Sequence, residues 1–436
     1  MSSSGAWTAA AVAAATGGYA LFSRRLGSTP LSAPMLFTGL GVLMGPAGLD
    51  VIDLERDAGP VRTLVEAALT LVLFADAMTV RRRDLRTGGF LPLRLLAFGL
   101  PVTIGAGWLL AWPLLPGLTG WELALLAAIL APTDAALGRA AMTSPRVPPL
   151  VREGLNVESG LNDGLVLPFF VLFLAAIPGT ATSEEGVDGV FWRTLLLSTA
   201  AGLAVGWVGG RLLPWSQARR WVTGEWRQVF VLAVAVGAYT VATAVDGSGF
   251  IAAWTAGFAF ALGLRQAPPL PVDGSGGQPA ELSEYLGGLL ATLSFLVFGA
   301  VLLGPAMEHM DWRTVTYAVL SLTAVRMVPV ALALAGAGFR WPTAAYIGWF
   351  GPRGLASVVF GLLVAEENVP GVHQLGVVVA ATVGLSVLAH GMSAPFLAAR
   401  YGAWYRAAKA RTPDLREALA APEPAGQARP VRRRLR

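Results

Sequence analysis

The chain has 436 residues, 55% of them apolar and only 14% charged, too few charges to coat a soluble globule of this length, so the composition predicts an integral membrane protein. There is no cysteine, which excludes disulfides, thiolate catalysis and thiolate metal sites, and the three histidines, His309, His373 and His390, lack metal-ligand spacing. The formal charge of +5 comes from basic residues dispersed between apolar stretches, which argues for membrane topology and against a nucleic-acid partner.

Hydrophobic runs predict thirteen spans, at 6–22, 31–49, 60–79, 90–115, 121–143, 150–176, 190–213, 227–245, 249–265, 282–304, 314–337, 342–365 and 373–399. The first reads as a span and not as a signal peptide, because apolar runs like it recur almost to position 400. Odd-numbered connections carry arginines: Arg24 and Arg25, then Arg81, Arg82, Arg83 and Arg86, then Arg146 and Arg152, then Arg219 and Arg220, then Arg265 and Arg340. Even-numbered ones carry acids, among them Asp50, Asp53, Glu55, Asp57, Glu184, Glu185, Asp188, Asp246, Glu308, Asp311, Glu366 and Glu367. Arginine-rich connections stay in the cytoplasm, so a multi-pass cell-membrane protein with its N-terminus outside and C-terminus inside is expected. Residues 1–411 form the predicted transmembrane domain. Residues 412–436, rich in Pro, Ala and Arg, read as a disordered basic cytoplasmic tail able to touch anionic lipid.

Thirteen spans divide into two six-helix halves with one helix between them. The fifth span is interrupted at Leu130-Ala-Pro-Thr-Asp-Ala135 and the twelfth at Trp349-Phe-Gly-Pro-Arg-Gly-Leu355, each the fifth of its half. An offset of seven helices inverts the second half, and interrupted spans at matching places in inverted halves point to a secondary transporter's binding site. Pro132 and Pro352 each remove a backbone donor, and unwound backbone survives at membrane depth only inside protein or beside a watery cavity.

The sixth span carries Glu158, Ser159, Asn162 and Asp163. Ionisable groups at this depth are expensive and mark ion, proton or substrate paths. Ser159 and Asp163 share one helix face, and Glu158 and Asn162 lie on the adjoining face, about 100° round the axis. Asp163 is the leading candidate: a partly desolvated carboxylate can hold a proton or a small cation, and that exclusion is what exchange requires. Asp134, beside Thr133, either caps the second half of the fifth span or supplies oxygen ligands; the two roles are compatible. Together Thr133, Asp134, Ser159, Asn162 and Asp163 offer hydroxyl, carboxylate and amide oxygens suited to a hard monovalent cation. Glu158 needs a counter-charge, and Arg326 and Arg353 are the candidates; the sequence leaves both open. Asp76, in the third span, is expected to pair in solvent with the arginines at 81–83 and is a weak candidate for the ion path; Glu66 is weaker still.

Ala131-Pro-Thr-Asp134, Glu158-Ser-Gly-Leu-Asn-Asp163, Gly249-Phe-Ile-Ala-Ala253, Arg326-Met-Val-Pro329 and Gly351-Pro-Arg-Gly354 together resemble the NhaP-type sodium/proton antiporters, bacterial relatives of the eukaryotic sodium/proton exchangers. The resemblance runs from about residue 30 to 400. It implies an all-α inverted-repeat homodimer whose fifth and twelfth spans cross at their unwound middles. It further implies that Asp163 carries the ion and the proton with help from Ser159, Asp134 and the Thr133 carbonyl, and that Glu158 and Arg326 form a structural ion pair. Asn162 beside Asp163 is similar to the electroneutral, one-for-one branch; the only lysine, Lys409, lies near the end of the chain. Ala135 departs from the family pattern, where proline is common. A role in pH homeostasis is implied, with sodium or potassium as alternative cargo. A channel is disfavoured because no repeated carbonyl filter is present. An enzyme is disfavoured because no histidine joins Ser159 and no nucleotide loop appears, and no cofactor is expected.

Overall fold

The computed structural model describes residues 3–26, 29, 31–52, 54–80, 91–180, 187–266 and 281–419. Among them every regular element is helical: α1 (Ser3–Leu26), α2 (Ala33–Met44), α3 (Leu54–Thr79), α4 (Leu91–Leu114), α5 (Gly120–Ile129), α6 (Arg139–Thr143), α7 (Pro149–Ala175), α8 (Val187–Ala218), α9 (Gly224–Thr243), α10 (Gly249–Arg265), α11 (Glu281–His309), α12 (Trp312–Leu322), α13 (Ala324–Leu334), α14 (Trp341–Trp349), α15 (Leu355–Glu366) and α16 (Val372–Arg411). Joining α5 with α6, α12 with α13 and α14 with α15 gives thirteen rods among the described residues, one in each predicted interval. Seven helices are long and apolar enough, by length and composition, to cross a membrane, and α2, α5, α10 and the stretch Leu355–Ala365 are shorter apolar helices.

The rods sort into two packing groups. In one, α10 lies against α8 and α3, and α11 against α3 and α2. Its closest contact has a sequence cause: Gly202, Gly206 and Gly210 recur every fourth residue on α8, and a Cβ at any of them would lie 2.1–2.4 Å from α10 atoms. Small residues at this spacing let helix backbones touch, which is how helices gain packing energy where water gives no drive. In the other group α4 packs on α5, α5 on α7, α12 and α15 on α16, and α13 on α14. Contacts of α3 with α7 and α15, and of α10 with α7, join the groups around the breaks.

Three local features were not predicted. The eleventh rod kinks at Thr323 (φ −107°, ψ −90°), whose hydroxyl donates to the Val319 carbonyl one turn back, a bond that bends helices. Short π turns at Leu95–Gly99 and Phe298–Leu303 precede Pro101 and Pro305, where the missing N–H breaks the regular ladder. The third concerns the predicted tail. Its start at 412 needs correction, because the fold continues to Leu419: Leu415 and Glu417 are buried, with Glu417 hydrogen-bonded to Arg340 and Thr343. Two buried residues and two hydrogen bonds offset the ordering entropy that composition alone suggested would win. Residues 420–436 lie outside the described residues.

Candidate functional site

The fifth and twelfth rods meet at their interruptions, and each satisfies the other's freed backbone. The Asp134 N–H donates to the Pro352 carbonyl at 2.7 Å, and Asp134 Oδ2 accepts the Leu355 N–H, the first of α15, at 3.0 Å. Asp134 Oδ1 accepts the Ala136 N–H at 2.7 Å. The capping role expected of Asp134 is therefore exerted on the partner rod; α6 begins after Gly138 with no side-chain cap. In return Arg353 donates to the Ala131 carbonyl at 2.7 Å and the Pro132 carbonyl at 3.2 Å, and the Ser357 hydroxyl takes the Ile129 carbonyl at 2.7 Å. Buried backbone groups need partners, so two broken helices are tolerated here because they are broken against each other.

α7 presents its polar residues to this crossing, with Glu158, Ser159, Asn162 and Asp163 all buried. Ser159 donates to the Thr133 carbonyl at 2.5 Å, an acceptor that an unbroken helix would have used internally. The Asn162 amide nitrogen donates to Thr133 Oγ1 at 2.6 Å and Glu158 Oε1 at 3.3 Å. A carboxylate only accepts, so its contact with Glu158 fixes which end of the amide faces it. Of Glu158's two possible partners the structure pairs it with Arg326, in two parallel bonds of 2.9 Å with both side chains 2% exposed. Arg353, fully buried, serves the break carbonyls instead.

Two acceptors remain. Asn162 Oδ1 and Asp163 Oδ1 are buried and without a hydrogen-bond partner. Asp163 also lies in the field of Asp76, Asp134 and Glu158, three further acids around one position. Asp76 packs against α7 at Gly160, where a Cβ would lie 3.3 Å from that of Asp76. The pairing expected between Asp76 and the arginines at 81–83 involves residues outside the described ones. Asp76 thus belongs to the acidic cluster, whereas Glu66 forms an ion pair with Arg62 at 2.8 Å on the same helix. Among the described residues no group of three or more His, Cys, Asp and Glu side chains is arranged to hold a metal ion.

Sequence reasoning passed over four residues that shape the site. Ser357 bonds a break carbonyl, and Ser386 accepts the Arg353 N–H at 2.7 Å. His390 Nε2 lies 2.9 Å from the Trp349 carbonyl, and its Nδ1 lies 3.2 Å from the Ser386 hydroxyl. Nδ1 also lies 3.0 Å from the Ser386 carbonyl, and since the Trp349 and Ser386 carbonyls only accept, a neutral imidazole donates to one of them at a time. The fourth, Glu122, was readable: Thr119-Gly-Trp-Glu122 has capping-box spacing, and the box forms.

A crossing of two interrupted helices beside a helix carrying buried acids defines the architecture of a secondary ion carrier. The chain matches the family described as sodium/hydrogen exchanger, transmembrane, over residues 11–400, and it belongs to that family. It is a multi-pass membrane protein. It is 26% identical over 363 residues to the K+/H+ antiporter NhaP of Alkalimonas amylolytica, covering 81% of this chain and 59% of that one. To a probable Na+/H+ antiporter of Schizosaccharomyces pombe it is 28% identical over 287 residues, covering 62% of this chain and 37% of the relative. The matches thus span less than two thirds of these curated relatives. The fold is similar to the sodium proton antiporter MjNhaP1 from Methanocaldococcus jannaschii, with a TM-score of 0.71, 19% identity, and coverage of 92% of this chain and 98% of that one.

Proposed function

We propose that this chain exchanges a monovalent cation for a proton across a cell membrane by alternating access, with Asp163 as the shared carrier. The observation that carries this reading is the pair of buried, unpartnered acceptor oxygens on Asn162 and Asp163. A buried acceptor without a partner is costly, and a proton on Asp163 or a cation beside both oxygens removes the cost. Hard cations take oxygen ligands, and Ser159, Thr133, Asp134 and Asp76 bring further oxygens to the cluster. Because one carboxyl group holds the proton or the cation in turn, the exchange is one for one and electroneutral. Asn162 in place of a second acid supports that count. The Glu158–Arg326 pair is a structural brace, and Arg353 is the clamp between the breaks. The reading makes the chain a homodimeric transporter working in pH homeostasis, not an enzyme, with thirteen crossings, an outside N-terminus and a cytoplasmic C-terminus.

Sodium is the proposed cargo. Potassium is the second reading, supported by the K+/H+ antiporter among the relatives. In everted vesicles carrying a preset pH gradient, adding Na+, K+ or Li+ is expected to collapse the gradient, and Asp163→Asn to abolish the effect. A gradient that survives all three cations defeats the proposal; cation flux without proton counterflow makes the protein a channel.

A further inference from the structure

The segment after α16 returns to the fold and carries a buried carboxylate. Glu417 is 0% exposed, and its Oε1 accepts the Arg340 N–H at 2.9 Å and the Thr343 hydroxyl at 2.7 Å. Arg340 is the N-cap of α14, and Thr343 is the third residue of that helix. In a capping box an acid at this third position bonds the N-cap N–H. Here the third residue is a threonine, the Arg340 side chain makes no capping bond, and an acid 77 residues away takes the place. A carboxylate there also complements the positive end of the helix.

From this cap a continuous line of contacts runs to the break. Thr343, having given its proton to Glu417, accepts the Tyr401 hydroxyl at 3.0 Å. The Tyr401 ring stacks on Tyr346 with centroids 4.3 Å apart, and Tyr346 meets Phe350 at 4.6 Å. Phe350 is fully buried and immediately precedes the break. The Tyr346 hydroxyl donates to the Ala141 carbonyl of α6 at 3.2 Å, so the same line touches the second half of the other broken rod.

We propose that Glu417 is a positioning residue for transport: it fixes the first half of the twelfth rod, and through Thr343, Tyr401 and Tyr346 it sets where the break carrying Arg353 sits against Asp134. The role in transport rests on the antiport reading; the role in fixing α14 does not. It acts on the rate at which the site rearranges and leaves the oxygens around Asp163 untouched.

The test uses the full chain with Glu417→Ala, Glu417→Gln and, as a control on the same segment, Asp414→Ala. Amide hydrogen exchange of residues 340–350 is measured in detergent and cation/proton exchange in proteoliposomes, with rates scaled to folded protein. Glu417→Ala is expected to speed amide exchange about five- to tenfold, the scale of a lost cap, and to slow maximal transport by about as much. The half-saturating cation concentration should not move. Glu417→Gln should restore both, because an amide oxygen accepts the same two bonds, and Asp414→Ala should match the wild type. Wild-type amide protection in Glu417→Ala, or loosened amides with an unchanged transport rate per folded molecule, overturns the proposal. If the wild-type chain moves no cation, the antiport reading fails, while the amide measurement still decides whether Glu417 fixes α14.

Discussion

The fifth rod starts with a capping box of its own: Thr119 N–H and hydroxyl both reach Glu122 Oε2, at 2.7 and 2.8 Å. The twelfth starts at Arg340, which caps nothing, and is completed by Glu417. Glu122 does more than cap, since its Oε1 accepts the N–H of Gly371, the residue before α16, at 2.7 Å. α16 is therefore tied to the first broken rod at its start and to the second just past its end. The outer ends of both rods are pinned by carboxylates, while the unwound middles are satisfied by each other, by α7 and by Ser386 and His390 of α16. Such an arrangement fixes where the breaks sit and leaves their mutual contacts able to rearrange when an ion or proton is exchanged.

The strongest way to break this arrangement is to remove the brace that serves both rods. Glu158 stands on α7 and shares the Asn162 amide with Thr133 of the first break, while Arg326 lies so close to the second that a Cβ on Gly351 would be 2.2 Å from its Nε. Glu158→Ala leaves a buried guanidinium alone and should cost roughly 3–5 kcal/mol, read as a large fall in the detergent melting temperature. Gly354→Ala tests the second break by itself. Its Cβ would lie 2.1 Å from Asp134 Oδ2, so the cap on α15 must open, and transport should fall more steeply than stability. Overpacking of this kind costs typically about 1–3 kcal/mol.

A smaller effect sharpens the contrast between the outer ends. Glu122→Ala removes a local cap and the tie to Gly371, and should destabilise by about 1–2 kcal/mol, visible as faster amide exchange at both 119–123 and 371–375. Protection lost at only one of the two stretches would show that Glu122 does not couple them. The smallest effect belongs to Asp311, a cap outside both rods whose Oδ1 accepts the Thr314 N–H at 2.8 Å. That hydrogen bond holds the Asp311 carboxyl below the usual carboxylate range. A lowered value in the fold means the contribution is present above the ordinary carboxylate pKa and lost as pH falls through the folded value. Being exposed, the cap is worth about 0.5 kcal/mol, and Asp311→Ala should shift melting slightly at neutral pH and not at all in strong acid.

Much of this was legible because membrane helices are read by long apolar runs, and because proline and acids inside such runs stand out. Pro132, Pro352, Asp134 and Asp163 marked the two breaks and the acids beside them, and the resemblance implied that the breaks cross. The residues alone left Glu158 with two candidate partners, Arg326 and Arg353, and the resemblance implied Arg326; both arginines are buried, and the paired 2.9 Å bonds to Arg326 separate them. Asp76 was read from its neighbours in sequence, which could not show that it packs against Gly160 of α7, where a Cβ would lie 3.3 Å from its own. Glu417 was hidden for a different reason. Its partners are 74 and 77 residues away, and a Pro/Ala/Arg-rich neighbourhood gives no local sign of burial.

The central claim is that a proton and a cation compete for Asp163, and proton release on cation binding tests it most directly. With purified protein in weakly buffered detergent near neutral pH, a pH indicator follows the addition of saturating Na+ or K+. The account predicts release of close to one proton per chain and none from Asp163→Asn. Cation binding by the wild type with no proton released, or equal release from Asp163→Asn, would contradict it.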